Sequence, residues 1–272
     1  MMRKRWNRIW KHAVLAFFSL LSLAPFLWVM ICATNTSVDM LRGKMTFGPN
    51  LWINFQTLVD TGRFVPAFFN SVRYTVVTTV LAVLISSAAG YAFVVYRTRA
   101  KDMVMKLLLL SMMIPAAAIL IPMFRLFSRM SLLNTMTAFM LPSLATAFLI
   151  FLFRQAAMSF PMEIIQAARI DGVGEWNIFF RIFIPSMRSS YATAITMTFM
   201  NTWNAFLWPL VIMTDTKKTT MPVFLSVLTD TGYTPDYGAV MLAVAITTFP
   251  TLIVFFALQK SFINGMAGSL KG

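Results

Sequence analysis

Long apolar runs separated by short polar stretches set the pattern of the chain. Six runs approach the roughly 20 mostly apolar residues needed to cross a hydrocarbon core about 30 Å thick. They cover residues 13–33, 72–95, 104–127, 135–153, 191–213 and 238–258. The pattern predicts an all-α integral membrane protein with six transmembrane helices. The first run follows a basic arm, residues 1–12, which contains Arg3-Lys4-Arg5. A cleaved signal peptide is the alternative there. The length of the run and Pro25 in its middle favour a retained anchor. Pro115, Pro122, Pro142 and Pro250 lie inside later runs. Each removes a backbone donor and bends a helix. In lipid, such breaks persist where neighbouring helices or a cavity satisfy the freed groups. They read as kinks in a packed bundle more readily than as gates.

The polar stretches differ in character. Residues 34–70 form a mixed loop with room for short helix, and residues 128–134 a tight hairpin. The stretch 154–188 is polar and amphipathic. Ser159 suits an N-cap and Pro161 the first turn of a helix, where a missing N–H costs little. That helix runs to about Ile170, with Ile164, Ala167 and Ala168 as an apolar stripe at i, i+3 and i+4. Asp171-Gly172 breaks it in a turn. A second amphipathic segment sets Trp176, Phe179 and Phe180 against Glu175, Asn177 and Arg181, and Pro185 ends it. Two readings stand side by side: a handle that docks into a groove of a partner, and a loop lying on the anionic membrane face.

Composition agrees with the runs. Hydrophobic residues make up 58% of the 272 and charged residues only 12%, against about 25% in soluble domains. Mean hydropathy is +0.73. The formal net charge of +14 raises nucleic acid as a partner. Its placement between apolar runs, rather than on one face of a soluble helix, excludes that reading. Lys and Arg orient the spans. The side holding the arm, residues 97–106, residues 154–188 and the tail carries fifteen of them and four acids. The other side carries eight and five. The asymmetry predicts both termini in the cytoplasm, which six spans allow. Cys32 and His12 are each alone, so no disulfide framework or cysteine-rich metal site is expected. No glycine-rich loop carries a GK[ST], so no nucleotide site is expected. Every acid lies in a loop, which argues against a secondary transporter driven through an embedded carboxylate.

One apolar run has a polar centre. Asn201 and Asn204 lie in the fifth run with Trp203 and Trp208. A buried amide without a partner costs about 1–3 kcal/mol, so these must meet another helix or a wet path. The tryptophans could stack on the apolar faces of a solute in a translocation path. Equally, the asparagines could glue helices and the tryptophans anchor at an interface.

The stretch 154–188 resembles the cytoplasmic coupling motif of ABC-type import permeases: E-A-A, three residues, G, nine residues, I-x-L-P. The matching residues are Gln166, Ala167, Ala168, Gly172, Ile182, Ile184 and Pro185. Gln166 replaces the usual glutamate and Ile184 the usual leucine. Without a charge at Gln166, pairing with a partner arginine is weaker. The runs NSVRYT (70–75), AARIDGV (167–173), NTWNAFLWPL (201–210) and FINGMAGSLKG (262–272) resemble carbohydrate-uptake permeases of the maltose-transporter type. Within that family the likeness is to the smaller, six-span partner of a two-permease pair. The resemblance implies a type I importer permease fold with a cytoplasmic coupling helix. It implies three kinds of partner besides the lipid bilayer: a second permease subunit, two ABC ATPase subunits and an extracytoplasmic solute-binding protein. It implies a bacterial or archaeal cytoplasmic (inner) membrane. ATP and Mg2+ would be bound by the ATPase, with no cofactor and no catalytic residue in this chain. On this resemblance Glu163, Gln166, Ala167, Ala168, Asp171, Gly172, Glu175, Trp176, Ile182 and Pro185 are the expected ATPase-coupling residues. The solute would be a sugar or oligosaccharide. A polyol, a sugar phosphate or a peptide remains the alternative, and a membrane scaffold a more distant one.

Overall fold

The computed structural model describes the backbone of residues 2–230 and 235–268, and the side chains of residues 10–230 and 235–259. The side chains of Arg3, Lys4 and Arg5 and of the tail motif at 262–272 therefore lie outside the described residues. The described chain is helical. In order it runs α1 (Met2–Cys32), α2 (Ser37–Leu41), α3 (Leu51–Asp60), α4 (Phe64–Val95), α5 (Arg99–Ser111) and α6 (Ala116–Arg129). Next come α7 (Met136–Met140), a 3-10 turn (Leu141–Ser143), α8 (Ala147–Met158), α9 (Met162–Ile170) and α10 (Glu175–Asn177). A π-helical stretch (Ile178–Phe183), α11 (Ile184–Ser186), α12 (Arg188–Trp203), α13 (Leu207–Ile212), α14 (Met221–Asp230) and α15 (Tyr237–Gly268) complete it.

Among the described residues, three helices are long and apolar enough to cross a membrane: Trp10–Cys32, Phe64–Val95 and Tyr237–Gln259. Two bent pairs raise the number to five. α5 and α6 meet at 102°, and the segments Met136–Ser143 and Ala147–Met158 meet at 48°. The expected third and fourth spans are thus not single helices. The cause is proline. Pro115 has extended backbone and stands just before α6, and Pro142 sits inside the 3-10 turn. Each ends a helix where a kink was expected. Pro25, Pro122 and Pro250 instead lie within continuous helices. The fifth run falls on α12 and α13, parted at residues 204–206. That break lets Pro209 occupy the first turn of α13, where it forfeits no hydrogen bond. The second span starts earlier than expected, at Phe64, and the basic arm continues α1 rather than standing apart.

The chain divides into two compact units, Met1–Val65 with Phe224–Pro250 and Pro66–Val223 with Thr251–Gly272. The first is closed by polar contacts at its turns. The buried amide of Asn54 donates to the Ala33 and Asn35 carbonyls at 2.8 and 3.1 Å. Asp236 accepts from the Ser37 hydroxyl and from two backbone N–H groups at the start of α15.

The second unit holds the core that positions the candidate site. Ala82, Val83 and Tyr91 of α4, Phe153 and Ala157 of α8, and Ala194 of α12 share one buried cluster. Ile165, Ile178 and Phe183, from the polar stretch between α8 and α12, join the same cluster. Gly90 makes this possible. A Cβ there would come within 2.6 Å of Phe153 Cβ and 2.8 Å of the Arg154 nitrogen, so only glycine lets α4 approach α8 so closely.

Candidate functional site

The stretch 154–188 is built from its turns. α8 ends at Met158, and Ser159 caps that end rather than beginning the next helix, its Oγ donating to the Ala156 carbonyl at 2.7 Å. The N-cap of α9 is Pro161. The serine therefore stands two residues before the position it was expected to fill. α9 stops at Ile170, where the sequence placed its end. Gly172 has φ +77°, the left-handed region that favours glycine. The Gly172 N–H bonds to the Arg169 carbonyl and the Val173 N–H to the Ala168 carbonyl, at 3.1 and 2.9 Å. This is a Schellman closure, and Val173 completes it by packing onto the core.

α9 faces inward on a different stripe from the expected one. Ile165 and Ala168 are buried, while Ile164 and Ala167 are exposed. Both Ile164 and Ile165 are apolar, and the core takes Ile165, with Ala168 three residues on, as the inward pair. Burying a side chain the size of Ile165 contributes about 1.5–3 kcal/mol. α9 is therefore seated, not free. Its outer face carries Glu163, Gln166 and Ala167, with Ile170 at its end 87% exposed. Asp171 is exposed and caps the helix through its backbone. Trp176 is 75% exposed and stacks on Phe180 at 6.1 Å between centroids.

The second segment does not end at Pro185. It passes through the π-helical stretch into α11, which carries Pro185, and stops at Met187. Pro185 cannot donate to the carbonyl four residues back, and a widened turn ahead of it relieves the clash with its ring. Ile182 is half-buried against the core, and Pro185 is exposed.

A cluster that sequence reasoning missed lies at the end of α4. Arg169 Nε donates to Glu175 Oε1 at 2.6 Å, and the Tyr91 hydroxyl to Oε2 at 3.4 Å. The Arg169 guanidinium lies 5.5 Å from the centre of the Tyr96 ring and Lys101 Nζ 5.3 Å from it. Lys101 also donates to the Tyr96 and Ala92 carbonyls at 2.7 and 3.4 Å, closing the last turn of α4. The Arg169 guanidinium, followed by the Tyr96 hydroxyl, holds the Glu175 carboxyl below the usual range. The same carboxylate pushes the Tyr96 phenol up. An exposed pair of this kind contributes only about 0.2–1 kcal/mol by itself. Tyr91 also meets Phe179 and Phe183 edge-on at 5.4 and 4.9 Å. Next to this cluster Asp102 accepts from Arg97 and from Arg154 at 3.1 and 3.4 Å, tying α5 to α8. No local pattern marks these residues, because Tyr91 and Glu175 are 84 positions apart.

The fifth-run candidates separate. Trp203 is 1% exposed, stacked on Phe199 at 5.8 Å and edge-on to Phe68 at 6.2 Å. Its faces are used by its own chain. Asn204 is exposed and returns its amide to the Met200 carbonyl at 2.8 Å. Asn201 and Trp208 line a cavity of roughly 310 Å3. Trp208 Nε1 donates to the Ala138 carbonyl at 3.0 Å. The break before α6, the 3-10 turn and the break between α12 and α13 reach the cavity, through Ala116, Pro142 and Ala205. Among the described residues, no three His, Cys, Asp or Glu side chains gather as a metal site.

Comparison with known proteins fits this arrangement. The profile of the family described as "Binding-protein-dependent transport system inner membrane component" matches residues 82–268. The lactose transport system permease protein LacG of Rhizobium radiobacter is 43% identical over 270 residues, covering 99% of this chain and 98% of that one. The arabinooligosaccharides transport system permease protein AraQ of Halalkalibacterium halodurans is 35% identical over 263 residues, covering 94% of each. A chain from the crystal structure of a bacterial ABC transporter involved in the import of the acidic polysaccharide alginate has the same fold. It superimposes with a TM-score of 0.83 at 21% identity over 95% of this chain and 97% of that one.

Proposed function

The chain belongs to the family of binding-protein-dependent transport system inner membrane components, and from that premise we propose that it imports a sugar or oligosaccharide. It is a permease component and not itself catalytic. In this reading it pairs with a second permease subunit and alternates between outward- and inward-facing states. Two separate ABC ATPase subunits bind ATP and Mg2+, and an extracytoplasmic binding protein delivers the solute. Six spans cross the inner membrane, with both termini in the cytoplasm. The names of the two relatives, both sugar permeases, support the choice of solute.

The observation that carries the coupling role is the seat of α9. Ile165 and Ala168 fix one face to the core shared with α4, α8 and α12, while Gln166, Ala167 and Trp176 face outward. A force applied to that outer face reaches the spans. Asn201, Asn204 and Trp208 are retained for the translocation path. Trp203, whose ring faces are occupied, is assigned to helix packing.

Gly172 provides the test. A Cβ at this position meets nothing within 4 Å of its own chain. Any L-residue there carries the left-handed strain, about 1–2 kcal/mol. In the assembled transporter, Gly172→Ala should retain most binding-protein-dependent uptake, and Gly172→Trp should abolish it by obstructing the ATPase. Affinity of the binding protein for its solute should be unchanged in both. Equal, normal uptake in the two variants would sink the docking model. Stimulation of ATP hydrolysis by sugar-loaded binding protein identifies the solute. Stimulation by a phosphoester or peptide alone would overturn the sugar assignment.

A further inference from the structure

Glu175 stands in an exposed turn, where a carboxylate is free to meet a partner. Both of its oxygens instead face their own chain, Oε1 towards Arg169 and Oε2 towards Tyr91. Arg169 ends α9 and Glu175 begins α10, so their 2.6 Å contact spans the turn at residues 171–174. That turn contains Gly172 at φ +77°, and a Cβ at either of its glycines would meet nothing within 4 Å. Across it, Tyr91 and Tyr96 bring the end of α4 to the same carboxylate and guanidinium. Lys101 then joins the start of α5 to Tyr96.

We infer that Arg169 and Glu175 are positioning residues. They form a brace that holds α9 at a fixed angle to the end of α4, so that movement of α9 is delivered to α4 and α5 rather than absorbed in the glycine turn. This inference rests on the coupling role proposed above. It gives Glu175 a task within its own chain, since Arg169 and Tyr91 already engage its two oxygens.

The test uses the complete transporter in proteoliposomes, with ATP hydrolysis and solute uptake measured together. A residue that merely supports folding lowers both and leaves their ratio unchanged. Glu175→Gln and Arg169→Gln should each raise the ATP hydrolysed per solute imported several-fold. The double variant should be no worse than the more severe single one, because one contact is lost in all three. Tyr91→Phe should shift the ratio in the same direction by less. Should Glu175→Gln fail to assemble, Glu175→Asp keeps the charge and withdraws it by one methylene, and the same rise is expected. An unchanged ratio in the assembled Glu variant, or effects that multiply in the double variant, would overturn the brace. So would a loss of ATPase-subunit affinity in Glu175→Gln that Arg169→Gln does not share. A wild-type complex whose uptake is independent of ATP would overturn the coupling role itself, which is a separate result.

Discussion

Gln166 illustrates what one uncharged residue does on an exposed helix face. It lies on the outside of α9, with Glu163 three residues before it and Arg169 three residues after. A carboxylate at this position would meet one like and one opposite charge at i±3, each worth about 0.2–0.5 kcal/mol. The two nearly cancel. Gln166→Glu should therefore leave thermal stability almost unchanged and leave association with the ATPase equal or stronger. A measured loss of association would show that the glutamine amide makes a required contact of its own. Glu175 gives the complementary case, in which charge matters. Arg169 and Tyr96 hydrogen-bond its ionised form and lower its pKa. The stabilisation is complete above the ordinary glutamate value of about 4.3 and is lost as pH falls through the lowered one. Hydrogen exchange of the 171–175 amides should stay constant from pH 7 to about 5 after correction for intrinsic rates, and rise only under stronger acid. Loss of protection already near neutrality would assign the titration to another group.

At the scale of elements, close approach between α4 and α8 matters more than any single ion pair. Gly90→Ala places a methyl against Phe153 and the Arg154 backbone, and the two helices must separate. Overpacking of this kind costs about 1–3 kcal/mol. Gly174 has φ −66° and open space where a Cβ would stand, so Gly174→Ala is the matched control, expected within about 0.5 kcal/mol. Thermal unfolding of the detergent-solubilised protein separates the two, and equal melting temperatures would remove Gly90 as the reason α4 and α8 touch. The same elements show how far the sequence could be read. The long uniform runs of α1, α4 and α15 were legible because hydropathy alone defines them. The end of α9 was legible because Asp-Gly dictates a turn. Its inward stripe was not, because Ile164 and Ile165 are adjacent and only the core chooses between them. Pro115 and Pro142 were visible, but whether a proline kinks or ends a helix depends on the residues packed around it. The brace was invisible because its residues meet only after α4 and the 154–188 stretch have folded together.

At the scale of the whole molecule, the open question is whether the polar fifth run crosses the membrane. α12 is about 24 Å long and α13 about 9 Å, so together they are long enough for a core of about 30 Å. Much of the polarity of α12 is spent internally. Thr193 and Thr196 donate to the Ser189 and Ala192 carbonyls four residues back, at 3.0 and 2.8 Å. A hydroxyl satisfied by its own helix is far less costly in lipid than its hydropathy suggests. The crossing can be read from two exposed positions. Between Arg99 and Lys218 lie the α5–α6 pair, the pair ending in α8, and α12 with α13. If all three cross, Arg99 and Lys218 face opposite sides of the membrane. If the last does not, they share a side. Cys32 is the sole cysteine and is fully buried, so an introduced thiol gives a clean signal. A membrane-impermeant maleimide should label Lys218→Cys in intact cells and Arg99→Cys only after permeabilisation. Labelling of both from outside, or of neither, would overturn the reading that all three cross. The reverse pattern would keep the span and invert the orientation drawn from the excess of Lys and Arg around Arg99.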